Sequence, residues 1–177
     1  MTGTAGQERK QKVEKTNVMR VLDQKKIPYT AHDYTATGAV GGTEVAAALH
    51  EDPDRVFKTL VTEAAGRKYY VFMIPVEREL NLKKAAKAVG EKKLEMLKAK
   101  ELLPLTGYVH GGCSPIGMKK AFVTVIDESA AAQETICFSA GKIGYQVETA
   151  PENLKKIIRF TYADVTDLPE EGENHEV

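Results

Sequence analysis

The sequence predicts an α+β fold, a mixed, largely antiparallel, β-barrel-like sheet with flanking helices. Three observations predict it. Strand-like runs outnumber helical ones, the two clearest form a hairpin between residues 55 and 75, and hairpin spacings recur more often than strand–helix–strand units. At 177 residues the chain can bury the core of one domain, expected over residues 13–167, but not comfortably of two.

Residues 1–12 are polar and expected to fray, and 168–177 read as an acidic flexible tail. From Lys15 to Lys25 a helix places Val18, Met19, Val21 and Leu22 near one stripe, with Thr16 or Asn17 as its cap. Ile27-Pro28-Tyr29 ends it, because a proline pushes the preceding residue out of helical backbone, and an extended run follows through Tyr34. Thr35 to Gly42 is a small-residue loop, and Thr43 is placed to cap an Ala-rich helix over Glu44 to Leu49. After the Asp52-Pro53-Asp54 turn, Arg55 to Thr62 is β-branched and aromatic. Ala64 to Arg67 is a hairpin turn and Tyr69 to Pro75 the returning strand.

Asn81 caps a helix from Leu82 to Val89, which Gly90 closes. Lys92 to Met96 suits a short strand, and Lys98 to Leu103 a helical turn that stops before Pro104. Thr106 to Lys119 is a glycine-bearing loop. Strands are expected at Phe122 to Asp127, Thr135 to Phe138 and Tyr145 to Glu148, with a Gly-bearing turn at Ser139 to Gly144. Thr149 and Glu152 have capping-box spacing ahead of a helix from Pro151 to Ile158, and Phe160 to Val165 suits an edge strand.

Composition narrows the function classes. Lys plus Arg equals Asp plus Glu at 25 each, so any nucleic-acid contact must come from a local basic surface. Cys113 and Cys137 make neither a disulfide framework nor a four-ligand metal set, and His32, His50, His110 and His175 show no paired helical spacing; no structural zinc site is expected. No apolar run approaches the ~20 residues of a membrane span, and residues 1–12 lack a secretory apolar stretch. A cytoplasmic protein without cofactor is the expectation.

Lys58 is the first candidate for chemistry. Strand alternation puts it on one face with Leu60 and Thr62, opposite Phe57, Thr59 and Val61. It is either a solvent-facing lysine on a half-exposed sheet or a cation at a cleft floor, reaching a phosphate or carbonyl oxygen. The loop Gly111-Gly112-Cys113-Ser114-Pro115-Ile116-Gly117 is the second. Its glycines let backbone N–H groups approach a ligand, or simply meet the needs of a tight connector. Ser114 before Pro115 suits a turn, and Cys113 with His110 suits a thiol nucleophile less well than a small buried side chain. Lys83, Lys84, Lys87, Lys92, Lys93, Lys119 and Lys120 would suit an RNA backbone only if folded onto one rim.

Taken together, these pieces resemble the YbaK/EbsC family of aminoacyl-tRNA deacylases, related to the editing domain inserted in bacterial prolyl-tRNA synthetases. The resemblance runs from about Thr16 to Asp167. It is carried by Ile27-Pro28-Tyr29 with His32 and Tyr34, Phe57-Lys58-Thr59-Leu60-Val61, Leu82-Lys83-Lys84-Ala85-Ala86, Lys92-Lys93-Leu94-Glu95-Met96, Thr106-Gly107-Tyr108, the 111–117 loop and the Ser139 turn. It implies an editing-domain fold and the hydrolysis of mischarged tRNA, above all Cys-tRNA(Pro), with the substrate's own thiol attacking its ester. It further implies that Lys58 anchors the tRNA 3′ end, that Gly111 and Gly112 offer amides to the oxyanion, and that Tyr34, Ser139 and Ser114 shape the substrate pocket. Prolyl-tRNA synthetase is the implied partner. Relatives often carry Gly-Gly-Lys-Arg-Gly after the serine, where this chain has Ala140-Gly141-Lys142-Ile143-Gly144. Gln146 replaces an acid found in some of them. An Ala-tRNA(Pro) deacylase, a cysteine hydrolase using Cys113 and a non-catalytic module that binds a nucleotide or tRNA end are the competing expectations.

Overall fold

The computed structural model describes residues 14–167. Both chain ends expected to fray lie outside that range. Helix α1 (Asn17–Gln24) begins where Thr16 accepts a hydrogen bond from the Met19 amide at 3.2 Å, and it buries Val18, Met19 and Leu22. Strand β1 (Thr30–Asp33) follows, then a 3-10 turn at Thr35–Thr37. Helix α2 (Gly42–Ala48) starts earlier than expected. Gly41 occupies the cap and Glu44 turns back toward its amide at 3.4 Å, which places Thr43 inside the first turn.

Strands β2 (Phe57–Ala64) and β3 (Lys68–Pro75) pair in antiparallel register from Phe57↔Pro75 to Ala64↔Lys68. Short β4 (Glu79–Leu80) leads to helix α3 (Leu82–Val89). There Asn81 accepts from the Lys84 amide at 3.0 Å and Gly90 closes the helix in the left-handed region, both as expected. The Lys92 to Met96 run yields only β5 (Glu95–Met96). Helix α4 (Ala99–Thr106) runs through Pro104 rather than stopping before it. The carbonyl that loses its partner there belongs to exposed Lys100 in the first turn, where water can satisfy it.

The second half supplies β6 (Val123–Asp127), β7 (Ile136–Ser139), β8 (Tyr145–Thr149), β9 (Phe160–Ala163) and β10 (Thr166–Asp167). The helix expected after Thr149 is a 3-10 helix, Pro151–Lys156, without a capping box. Thr149 instead donates its hydroxyl to the Pro28 carbonyl at 2.8 Å and accepts from Asn153 at 3.0 Å, so its oxygen is engaged elsewhere.

Among the described residues the strands form a mixed five-stranded sheet, β5-β2-β3-β6-β9, an antiparallel three-stranded sheet, β1-β8-β7, and the pair β10-β4. Antiparallel pairings predominate; β3–β6 and β6–β9 are parallel. The sheets meet without closing into one barrel, through a parallel bridge between Val56 and Cys137. On one face of the larger sheet, Phe57 and Met73 join α1, Ile126, Phe138 and Val147 in the main core. On the other, Leu60, Phe72 and Ile74 pack with Ala85 and Ala86 of α3. No helix among the described residues is long and apolar enough to cross a membrane.

Asp127 ties the end of β6 to two later turns. It is 1% exposed, accepts from the Ser129 and Val165 amides at 3.2 Å each, and lies 3.6 Å from Arg78. Removing one partner of a buried charge pair leaves the other uncompensated. Asp127→Ala is therefore expected to cost about 3–5 kcal/mol, read as a lower urea midpoint with an unchanged m-value.

Candidate functional site

The Val56–Cys137 bridge sets two strands side by side in the same direction. Two residues further along each strand stand Lys58 and Ser139, and both line a cavity of about 210 Å³. Its walls include Val40, Val45, Val56, Phe57, Leu60, Val76 and Phe138, with Tyr34, Thr59, His110, Gly111, Cys113 and Gln146 also facing it. The lining is mostly apolar, with a few polar groups converging on it, as in most small-ligand sites.

The face of β2 that carries Lys58 is not a solvent face. Its cross-strand partner Ile74 is fully buried, and Leu60 on the same side packs toward α3. Lys58 is partly buried and, among the described residues, has no carboxylate or hydrogen-bond partner. Lysines removed from water are ordinarily paired. This one therefore presents an uncompensated cation to the cavity, and an anion or a developing oxyanion would relieve it.

Gly111 lies at the cavity wall with φ +87°, a left-handed backbone that a side chain would strain. A Cβ there would also sit 3.4 Å from Val40. The Gly111 amide has no hydrogen-bond partner among the described residues. Gly112 differs: its amide donates to the Val109 carbonyl at 3.0 Å, and it does not line the cavity. The turn it closes has already consumed the donor that an oxyanion would need. Ser114 is fully buried away from the cavity, its hydroxyl oxygen 3.4 Å from the Ile116 amide, which is the role of a turn residue. Lys58, Gly111, Tyr34 and Ser139 are thus brought together; Gly112 and Ser114 are not.

Cys113 reaches the cavity, but burial pushes its thiol up to about 12. No hydrogen bond joins it to His110 among the described residues, so nothing there generates the thiolate a nucleophile requires. Ser139 accepts from the Gly141 amide at 3.1 Å, which orients its hydroxyl at the rim. Ile143, one of the departures from the family pattern, packs beside the Gly111-Gly112 turn and is exposed on its outer side; Ala140 is fully buried in the main core.

Gln146 connects the cavity to a second polar cluster that sequence spacing did not reveal. Its side-chain amide donates to Glu51 at 3.1 Å. Next to Glu51 lie His32, Cys137 and Glu148, whose potential ligand atoms all fall within 4.8 Å of one another. The strand register explains the grouping. Cys137 pairs with Glu148, and Gln146 pairs with both Ser139 and His32, so these side chains share one face of the smaller sheet. Burial raises the Glu51 carboxyl, against the Gln146 hydrogen bond. Burial opposes ionisation of Glu148 as well, but the hydrogen bonds from Thr135 and His32 outweigh it and hold that carboxyl below its ordinary range.

Comparison with known proteins agrees with this architecture. The model of the aminoacyl-tRNA editing domain matches residues 39–157, which include Val40 to Val45, Lys58, Gly111 and Ser139. The chain is 43% identical over 159 residues to EbsC of Enterococcus faecalis, a protein named as a candidate Cys-tRNA(Pro)/Cys-tRNA(Cys) deacylase; the alignment covers 89% of this chain and 97% of that one. Two crystal structures share the fold. A candidate trans-editing enzyme for prolyl tRNA synthetase superposes with TM-score 0.76 at 21% identity, covering 88% of this chain and all of that one. A hypothetical protein superposes with TM-score 0.76 at 20% identity, covering 86% and 100%. With a family match across the cavity walls and a relative of this identity along nearly its whole length, the chain belongs to the aminoacyl-tRNA editing domain family, as its resemblance to YbaK and EbsC proteins implied.

Proposed function

We propose that this protein removes a wrongly attached amino acid from tRNA, with Cys-tRNA(Pro) as the preferred substrate and residues 13–167 as the deacylase domain. The observation that carries the reading is Lys58, without a partner among the described residues, at an apolar cavity also lined by Gly111, whose amide has no hydrogen-bond partner among those residues. The name of the Enterococcus relative adds to it.

At about 210 Å³ the cavity is smaller than the ~300–1,000 Å³ that hold drug-sized ligands. It suits the aminoacyl group, with the terminal ribose and phosphate at the mouth near Lys58. Chemistry then needs little from the protein. The cysteine sulfur of the substrate bonds to its own ester carbonyl carbon, and the carbonyl opens to an oxyanion facing the Gly111 amide. Collapse breaks the bond to the ribose oxygen, which takes the thiol proton, and cyclic thiolactone and free tRNA leave. Positioning and oxyanion stabilisation supply the rate. Tyr34 and Ser139 shape the pocket; Gly112 supports the Gly111 turn without donating to substrate. The high pKa of Cys113 argues against a thiol enzyme.

Balanced charge gives little general attraction for tRNA, which fits delivery of the substrate by prolyl-tRNA synthetase in the cytoplasm. Deacylation of Cys-tRNA(Pro) and Ala-tRNA(Pro), with and without the synthetase, tests the whole reading. Lys58→Ala is expected to lose activity by about 100-fold or more, while Cys113→Ala keeps most of it. Collapse with Cys113→Ala would favour a cysteine hydrolase, and no release from either tRNA would favour a binding module. Gly111→Ala is expected to reduce kcat while costing roughly 1–2 kcal/mol of stability, measured by urea unfolding alongside the rate.

A further inference from the structure

The His32, Glu51, Cys137 and Glu148 cluster plays no part in that mechanism, yet each side chain offers one potential ligand atom, all within 4.8 Å of one another. The smaller sheet supplies three of them, His32 from β1, Cys137 from β7 and Glu148 from β8, while Glu51 comes from the segment that follows α2. Each carboxylate has one oxygen held from outside. Glu51 Oε1 accepts from Gln146 at 3.1 Å, and Glu148 Oε2 accepts from Thr135 at 2.5 Å. The other oxygens face inward. Glu148 Oε1 lies 2.8 Å from His32 Nε2, and Glu51 Oε2 lies 3.7 Å from the same nitrogen.

Glu51 Oε2 has only the 3.7 Å ion-pair contact with His32 and no hydrogen bond among the described residues. The side chain is only 10% exposed, and this oxygen is buried. A buried carboxylate oxygen left so is costly. We propose that His32 Nε2, Glu51 Oε2, Glu148 Oε1 and Cys137 Sγ bind a divalent transition metal of the zinc type, which clasps the segment after α2 onto the β1-β8-β7 sheet.

One nitrogen, one sulfur and two oxygens make a four-donor set that zinc accepts, and a full set of protein ligands marks a structural rather than a catalytic site. Ligand atoms around tetrahedral zinc stand roughly 3–4 Å apart. The 4.8 Å span of the cluster therefore needs only small side-chain rotations to close. Gln146 and Thr135 act as the outer hydrogen bonds that orient metal-binding carboxylates. His32 and Glu148 are partly exposed, at 26% and 22%, and leave a route for the ion. Because α2 carries Val45 of the cavity wall, the clasp would also hold that wall in place.

The test uses the purified full-length chain, reduced, stripped with a chelator and titrated with Co²⁺ as a spectroscopic substitute for zinc. One equivalent is expected to bind, with thiolate-to-cobalt charge-transfer absorption and visible bands of tetrahedral strength. Cys137→Ser removes the charge-transfer band, whereas Cys113→Ser retains it. Thr135→Val keeps every ligand but releases Glu148, and weakens binding about 10- to 100-fold. Zn²⁺ raises the thermal midpoint of the wild type but not of His32→Ala, a partly exposed position whose truncation leaves the core intact. A folded wild type that binds Co²⁺ without a thiolate band, or a band that survives Cys137→Ser, overturns the proposal and reduces the cluster to an ion-pair network.

Discussion

Where two sheets meet edge to edge, the side chains just beyond the junction are placed by strand geometry rather than by loop conformation. In this protein the junction is the bridge between Val56 and Cys137, packed with Ala46 and Val76 and reinforced by the Val76 amide on the Val56 carbonyl at 2.9 Å. Because the bridged strands run in parallel, moving two residues along both brings Lys58 and Ser139 to the same level. Cys137 itself stands opposite Glu148 in the β7–β8 register. A slip of one residue would turn Lys58 to the face that Phe57 now gives to the main core. Both polar regions of the molecule depend on that single register.

The surroundings of Lys58 show how the fold holds a cation without a counter-ion. Lys58 lines the cavity together with the apolar side chains of Leu60, Val56 and Phe57. A carboxylate placed beside it would compete with any anionic ligand. Glu51 and Glu148, next to the cavity residue Gln146 in the fold, are engaged by Gln146, Thr135 and His32. Gln146 matters here because it faces the cavity as an uncharged amide while its nitrogen holds Glu51 away from it. An acid at this position would bring negative charge to the cavity wall.

The loops divide the labour differently. The Gly111 amide has no hydrogen-bond partner among the described residues, whereas the next residue spends its own donor on closing the turn. Tyr108 stabilises the far side of this loop by donating its hydroxyl to the Ile116 carbonyl, so the donor at Gly111 is carried on a braced segment.

Local chemistry was legible in the sequence wherever a signal acts within a few residues. Thr16 and Asn81 cap their helices, Gly90 ends α3, and the β2–β3 hairpin falls where alternation and turn residues put it. Lys58 stood out because a lysine within a strand of apolar neighbours needs a reason, and the family resemblance gave Tyr34, Gly111 and Ser139 as its companions. The sequence left open which face of β2 meets solvent, since alternation defines two faces but not what covers them. It also offered Gly112 as the equal of Gly111 and Ser114 as a pocket residue as well as a turn residue, and missed that Thr149 bonds to Pro28 rather than capping the helix after it. Pairing across distant strands decided these points. His32 and Glu148 are 116 positions apart yet 2.8 Å apart in space, and separations of that size leave no periodic trace along a chain. Hydrogen-bond accounting belongs to the folded molecule too: whether an amide is free or a carboxylate orphaned depends on partners that only tertiary contact supplies.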